Sequence, residues 1–157
     1  MKKITLDRLK NYALFYLERY EASADKLRTI LKRRLMKAAR EQEIPAEANN
    51  WVEDIIRDMC RLGYVDNRRF AENVVRRLSA NGKSPSFIQT KLKLAGIDDE
   101  EISTALAETD ELAQARLMVQ KKHLGADFQK DLARLARAGF SYEVAKEVLE
   151  EITRPKE

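Results

Sequence analysis

Apolar residues along this chain recur at intervals of three and four, the spacing that places them on one face of an α-helix. Leu6, Leu9, Ala13, Tyr16, Leu17 and Tyr20 make the first such stripe, with Tyr12, Tyr16 and Tyr20 read as core rather than as stacking platforms. Asp7 falls in that helix's first turn, where a carboxylate meets the positive end of the dipole. Ser23 has the chemistry and the position of an N-cap, and Leu27, Ile30, Leu31, Leu35 and Ala38 form a second stripe, in a helix that runs on through residues 32–40. Pro45 interrupts the pattern. A third stripe follows in Val52, Ile55, Ile56, Met59 and Leu62, with Trp51 at its edge, and Gly63 closes it as a left-handed cap.

The same order of events then recurs. Asp66 caps a helix whose inner face is Phe70, Val74 and Leu78, stopped near Asn81-Gly82. Ser84-Pro85 is a cap followed by proline at the first helical position, and Ile88 and Leu92 face inward until Gly96. Asp98 caps a short helix around Ile102, Ala105 and Leu106; further helices are expected around 112–119, 128–135 and, after Ser141, 144–152. The segments Leu94-Ala95-Gly96-Ile97-Asp98 and Arg137-Ala138-Gly139-Phe140-Ser141 end alike: a glycine to leave the helix, a buried apolar anchor, a cap for the next helix. Their glycines stand 43 residues apart, within the range of helical repeats. No stretch alternates convincingly with period two. The reading is an all-α fold of nine helices in three tandem three-helix repeats, residues 1–63, 64–108 and 109–157. The repeats are expected to stack into an elongated, curved, right-handed-type helical array, with a hinge around Asn81–Ser84.

Composition narrows the classes. A chain of 157 residues has the size of one ordinary domain, and 44% hydrophobic residues are too many for a disordered tail. Five Gly and three Pro are too few for a β-sandwich or barrel. Cys60 is the only cysteine, which excludes an internal disulfide; with His123 the only histidine, a Cys/His zinc cluster is excluded too. No apolar run approaches the ~18 residues of a membrane span. The opening residues, from Met1 to Arg8, lack a signal-peptide core, so the expected address is the cytoplasm. A net charge of +4 neither demands nor forbids nucleic acid.

Four segments, residues 13–19 with Ser23 and Leu27, 62–71, 93–97 and 134–141, together resemble the RecX family, the regulators of the RecA recombinase. Ala13-Leu14-Phe15-Tyr16-Leu17-Glu18-Arg19, followed by Ser23 and Leu27, is similar to the family's opening. Leu62-Gly63-Tyr64-Val65-Asp66-Asn67-Arg68-Arg69-Phe70-Ala71 resembles its central signature, and Lys93-Leu94-Ala95-Gly96-Ile97 its second-repeat ending. Arg134-Leu135-Ala136-Arg137-Ala138-Gly139-Phe140-Ser141 is similar to the third-repeat ending, so the resemblance runs from about Leu6 to Ile152. Asn67 stands where the family usually has a second aspartate, and Tyr20 and Lys26 where Arg and Glu are common; these departures bear on partner contacts. The resemblance implies three stacked three-helix repeats, no enzymatic activity, and binding in the groove of RecA–DNA filaments that alters filament assembly and strand exchange, with inhibition favoured.

The residues themselves offer little to a catalyst. His123 lies in Lys121-Lys122-His123-Leu124, a cationic setting without an acidic neighbour, and reads as an exposed helix-end residue. Cys60 follows Met59 and reads as a partly buried structural thiol. Asp98-Asp99 and Glu150-Glu151 fall at helix ends, where capping and solvation account for them. Neither a phosphate-binding GxxxxGK[ST] loop nor a dinucleotide fingerprint occurs, and no cofactor is expected.

Charge layout says more. Across residues 24–40, 84–95 and 126–138, basic residues number seven, two and three against one, none and two acidic. Across 46–62, 98–108 and 141–152 the acidic residues number four, five and four against two, none and one basic. Arg33, Lys37 and Arg40 are spaced i, i+4, i+7, and Lys130, Arg134 and Arg137 repeat that spacing; Arg69 and Arg76, seven apart, share the outer face of their helix. These eight form the candidate filament-binding surface. The rival reading is a helical DNA-binding module or transcription regulator without a recombinase partner. In a helix-turn-helix the helix after the turn enters the major groove, and here such helices carry Asp99, Glu100 and Glu101, or Glu143, Glu147, Glu150 and Glu151, which phosphates repel. The partner that the resemblance implies is a RecA filament on single- or double-stranded DNA, and the chain is expected to bind it as a monomer, with weak direct DNA affinity and no membrane contact.

Overall fold

Why the chain coils where it does is written in its caps. In a computed structural model describing residues 2–154, nine helices form among the described residues: α1 (Leu6–Arg19), α2 (Ala24–Ala39), α3 (Ala48–Arg61), α4 (Asn67–Ala80), α5 (Pro85–Leu94), α6 (Asp99–Leu106), α7 (Glu111–Lys122), α8 (Phe128–Arg137) and α9 (Tyr142–Thr153). The expected caps at Ser23, Asp66, Ser84, Asp98 and Ser141 each accept a backbone N–H three residues on, and Thr5, Asp110 and Asp127 do the same. Gly139 closes α8 at φ +97°: its N–H donates to the Ala136 carbonyl and that of buried Phe140 to the Leu135 carbonyl, satisfying two carbonyls the helix leaves open. The chain contains an all-α helical-repeat fold, and among the described residues no helix is long and apolar enough to cross a membrane.

Two compact units emerge from the packing. The first comprises the chain up to Phe70 together with Ala95–Ile97. Its core is the second and third stripes brought together, Leu27, Leu31, Val52, Ile55 and Met59, closed by Leu9 and Ala13 of α1. Each fully buried leucine or isoleucine here contributes roughly 1.5–3 kcal/mol. Ser23 does more than cap α2: its hydroxyl, fully buried, donates to the Ala95 carbonyl at 2.6 Å, just before Gly96. The Asn67 side-chain oxygen accepts the Ala24 N–H at 2.9 Å, a bond that an amide oxygen makes as a carboxylate oxygen could.

The second unit comprises Ala71–Leu94 and the chain from Asp98 on. α9 packs on both α7 and α8, burying Ala115, Val119, Leu135, Phe140, Ala145, Val148 and Leu149. Ser84 repeats the part played by Ser23, donating to the Ala138 carbonyl at 2.7 Å, just before Gly139. The segment expected to hinge, Asn81–Ser84, lies inside this unit and is tied down. Lys121 donates to the Asn81 side chain, Gln114 to the Lys83 carbonyl at 2.8 Å, and Gly82 sits against the backbone of Met118.

Some residues of the apolar stripes are not core. Leu62, the C-cap of α3, keeps a near-helical backbone at φ −83° yet is 51% exposed; Tyr20, the C-cap of α1, has turned to φ −132°, where the helical spacing no longer applies, and is 58% exposed. Leu6 is the first residue of α1 and is exposed. Tyr12 lies at the flank of the buried pair Leu9 and Ala13 and is also exposed, whereas Tyr16 packs partly against the core. Cys60 is exposed rather than partly buried: Met59 takes the inward position, and the next residue is turned about 100° from it.

Candidate functional site

On α2 the cations divide into two populations. Arg28 is committed to structure: it donates to Asp25 at 2.7 Å and, bidentately, to Glu53 of α3 at 2.6 and 3.2 Å. The hydrogen bonds and charge of Arg28 hold the Glu53 carboxyl below its ordinary 4.5, and Arg28 itself is raised in turn by Glu53 first and Asp25 after it. Arg33, Lys37 and Arg40 instead lie exposed on the side away from Leu31 and Leu35, with no carboxylate partner among the described residues. Arg40 is the C-cap, just past the end of the helix.

The other candidates sit in varied settings. Arg69 is exposed at the start of α4, donating to the Gly63 carbonyl at 3.0 Å and standing 3.9 Å from Glu21. Arg76 donates to the Asn73 side chain and lines a cavity of about 520 Å³ that also holds Glu72, Glu108 and Asp110. Carboxylates in that lining make it a poor place for phosphate. Lys130 and Arg137 are exposed on α8. Arg134 lies 4.0 Å from Asp131, a buried carboxylate that accepts the Gly125 N–H at 2.7 Å and staples the loop before α8. The spacing of Lys130, Arg134 and Arg137 thus puts them on one face, with the middle one doubling as a counter-charge.

A basic groove that the charge count along the helices does not reveal lies in the first unit. It is a cavity of about 610 Å³ bounded by the segment before α1, by α1 and by the end of α2. Lys2, Lys3, Arg8, Arg34 and Lys37 line it with a single carboxylate, Glu41. Tyr12 and Phe15 form part of its wall; the Arg34 guanidinium lies 5.2 Å from the Tyr12 ring centre and that of Arg19 4.4 Å from Phe15. The segment before α1 is fastened at this edge. Ile4 N–H donates to the Gln42 side chain at 2.9 Å, Gln42 donates back to the Lys2 carbonyl at 3.3 Å, and Arg8 to the Lys3 carbonyl at 2.7 Å. A signal existed in the sequence, since Arg8, Tyr12 and Phe15 have the same i, i+4, i+7 spacing as Arg33, Lys37 and Arg40. Lys2 and Lys3 precede any periodic segment, and the Gln42 bonds, with Ile4 packed on the core, bring them to α2.

His123 is the exposed C-cap of α7, in the left-handed region at φ 52°, as a helix-end residue should be. Among the described residues no group of three or more His, Cys, Asp or Glu is placed to hold a metal ion. Asp99, Glu100 and Glu101 occupy the first turn of α6, where the dipole favours them.

Known proteins give this arrangement its place. Residues 66–106 match the family described as RecX, second three-helix domain. Regulatory protein RecX of Myxococcus xanthus is 33% identical over 164 residues, an alignment covering 95% of this chain and 88% of that protein. Regulatory protein RecX of Agrobacterium fabrum is 28% identical over 152 residues, covering 89% and 80%. The crystal structure of RecX from Lactobacillus salivarius superposes with a TM-score of 0.71 across 94% of this chain and 96% of that one, at 22% identity, a likeness of fold. With one third of its residues shared along almost its whole length, the chain belongs to the RecX family of regulatory proteins.

Proposed function

We propose that this protein regulates the RecA recombinase by binding RecA–DNA filaments and inhibiting their assembly and strand exchange, as a non-enzymatic cytoplasmic monomer. The observation that carries the reading is the 33% identity to a RecX regulatory protein across 95% of the chain. Three tandem units, residues 1–63, 64–108 and 109–157, would present the contacts; the pair of serine-to-carbonyl junctions, at Ser23 and at Ser84, supports a repeated plan. The filament-facing residues are Arg33, Lys37 and Arg40, then Arg69 and Arg76, then Lys130, Arg134 and Arg137. Many weak contacts along one filament add through linkage. Arg33, Lys37, Arg40, Lys130 and Arg137 have no carboxylate partner among the described residues and are the strongest of these.

Titration of the protein into a RecA-dependent ATPase and strand-exchange assay tests the reading, with progressive inhibition expected. Charge reversal at Arg33, Lys37 and Arg40 should weaken inhibition at a stability cost within ~0.5 kcal/mol per exposed site. Reversal at Arg134 would place a like charge beside buried Asp131, so Arg134→Gln serves there with Lys130→Glu and Arg137→Glu. Undiminished inhibition by both folded variants would remove the basic faces from the proposal, and absence of any effect on RecA would remove the proposal itself.

A further inference from the structure

We propose that the groove between the segment before α1, α1 and the end of α2 is a binding site for single-stranded nucleic acid, with its five cations on the phosphates and Tyr12 and Phe15 stacking against bases. This goes beyond the filament reading, because the strand is held by this protein without a recombinase.

The first ground is uncompensated charge. Elsewhere in the molecule cations at helix–helix seams are matched: Arg28 with Asp25 and Glu53, Arg116 bidentately with Glu151 at 2.9 and 2.7 Å. The five cations of the groove have no carboxylate partner among the described residues, and only Glu41 shares their walls. Like charges gathered without compensation cost the fold stability, and an anion with several phosphates relieves that cost. Phosphate binding by such a set releases condensed counterions, which supplies affinity without sequence preference.

The second ground is the interleaving of cations with rings. Phe15 is 54% exposed although it lines a concave wall, and Tyr12 is at the border of exposure. Arg19 and Arg34 each lie against one of these rings, which steadies the rings and leaves their remaining surface to a base. Exposed rings within a basic groove favour a strand whose base faces are open. A duplex hides those faces in its own stack, and an acidic peptide brings charge but no planar group to match. The cavity, at about 610 Å³, lies inside the ~300–1,000 Å³ range of ligand pockets and has room for about one or two nucleotides of a longer strand.

The third ground is preorganisation. Lys2 and Lys3 belong to a segment without secondary structure, where long cationic side chains would ordinarily be spread through solvent. The paired bonds of Gln42 with Ile4 and Lys2, and that of Arg8 with Lys3, hold this segment's backbone at the groove before any ligand arrives.

The test is fluorescence anisotropy of a labelled oligothymidylate of fifteen nucleotides with the full chain and no RecA, across a salt series. Binding should weaken linearly on a log–log plot with a slope near −0.7 per phosphate contacted. Phe15→Ala should lower affinity by about fivefold or more while leaving the slope unchanged, since stacking involves no counterion. Lys3→Gln, outside every helix and unable to unfold one, should instead reduce the slope by about 0.7. Lys130→Glu with Arg137→Glu should leave oligothymidylate binding as it was, which separates this site from the filament-facing residues of α8. Equal affinity for a duplex of the same length, full competition by thymidine monophosphate at matched phosphate, or full competition by polyglutamate would each overturn the assignment. So would a folded Phe15→Ala and a Lys3→Gln that both bind as the parent does.

Discussion

Ser23 and Ser84 make the same two bonds in different company. Each accepts a backbone N–H three residues on and donates to the carbonyl just ahead of a glycine in the left-handed region. Two residues after each serine a side chain presses on that glycine. At the first junction it is Asp25, itself bonded to Arg28, which continues to Glu53 on α3; at the second it is the small neutral Ser86. The backbone device is constant while the chemistry around it is not. Geometry therefore holds both turns, and at the first turn an ion-pair network stands behind it.

Breaking the glycines gives the largest expected effect and should separate the junctions. At Gly96, φ is +77° and an added Cβ would collide with the Cβ as well as the carboxylate of Asp25, atoms close to the α2 backbone that cannot swing away. Gly96→Ala should cost on the order of 3 kcal/mol, combining left-handed strain with overpacking. At Gly139 the collision is with the Ser84 hydroxyl at 2.6 Å, while the Cβ of Ser86 stands at 3.3 Å. A hydroxyl can rotate at the loss of its bond, so Gly139→Ala should cost about 2 kcal/mol. Urea denaturation of the two variants measures the order, and equal losses would show that Asp25 yields as readily as a serine.

A smaller effect, and an equal one, is expected from the serines. Ser23→Ala or Ser84→Ala removes a cap and takes the donor from a partly buried carbonyl, about 1–2 kcal/mol in either case. Hydrogen exchange at the amides of Lys26 and Phe87, the two cap donors, should accelerate in the matching variant only. A clearly larger loss at Ser23 would mean that the hydroxyl and the ion-pair network reinforce each other.

Acid should produce the mildest difference. Arg28 and Arg116 hold Glu53 and Glu151 below the ordinary 4.5, chiefly by hydrogen bonding. The unfolded chain therefore binds protons first as pH falls. Each pair's contribution is whole above 4.5 and is lost as pH drops through the lowered folded values. The side chain of Arg28 is 29% exposed and that of Arg116 48%, so salt should erase the second contribution more than the first. Thermal melts from pH 6 to 3 at low and high salt, with Arg28→Gln and Arg116→Gln for comparison, would measure this. Identical salt responses would mean that exposure does not set the difference.

What the sequence made legible was local. Helices, caps and the glycine ends follow from residues within four positions of one another, so Ser23, Asp98 and Gly139 could be placed by reading along the chain. The second bond of each junction could not, because Ser23 reaches Ala95 and Ser84 reaches Ala138, and no periodicity links such positions. The candidate surface shows the same division. Spacing identified Arg33, Lys37 and Arg40 as outward residues, but could not show that Arg69 is engaged with Gly63 or that Arg76 shares a cavity with carboxylates. Tyr12 fits a core stripe by spacing alone; its place at the groove depends on a segment before α1 that carries no pattern at all.

The serine junctions also show what a cap must carry to make both bonds. α8, the helix that would come third in this order, starts at Asp127, 43 residues after Ser84, the same interval that separates Gly96 from Gly139. Its carboxylate caps the helix as a serine does, accepting the Lys130 N–H at 3.2 Å, but an ionised carboxylate has no proton to offer to a carbonyl. α2 finishes in Ala39 and Arg40 and not in a glycine, and its turn is closed by the Gln42 N–H on the Ala38 carbonyl. Making both bonds thus asks for a hydroxyl at the cap, and a change of Ser23 or Ser84 to aspartate would keep the first bond and forfeit the second.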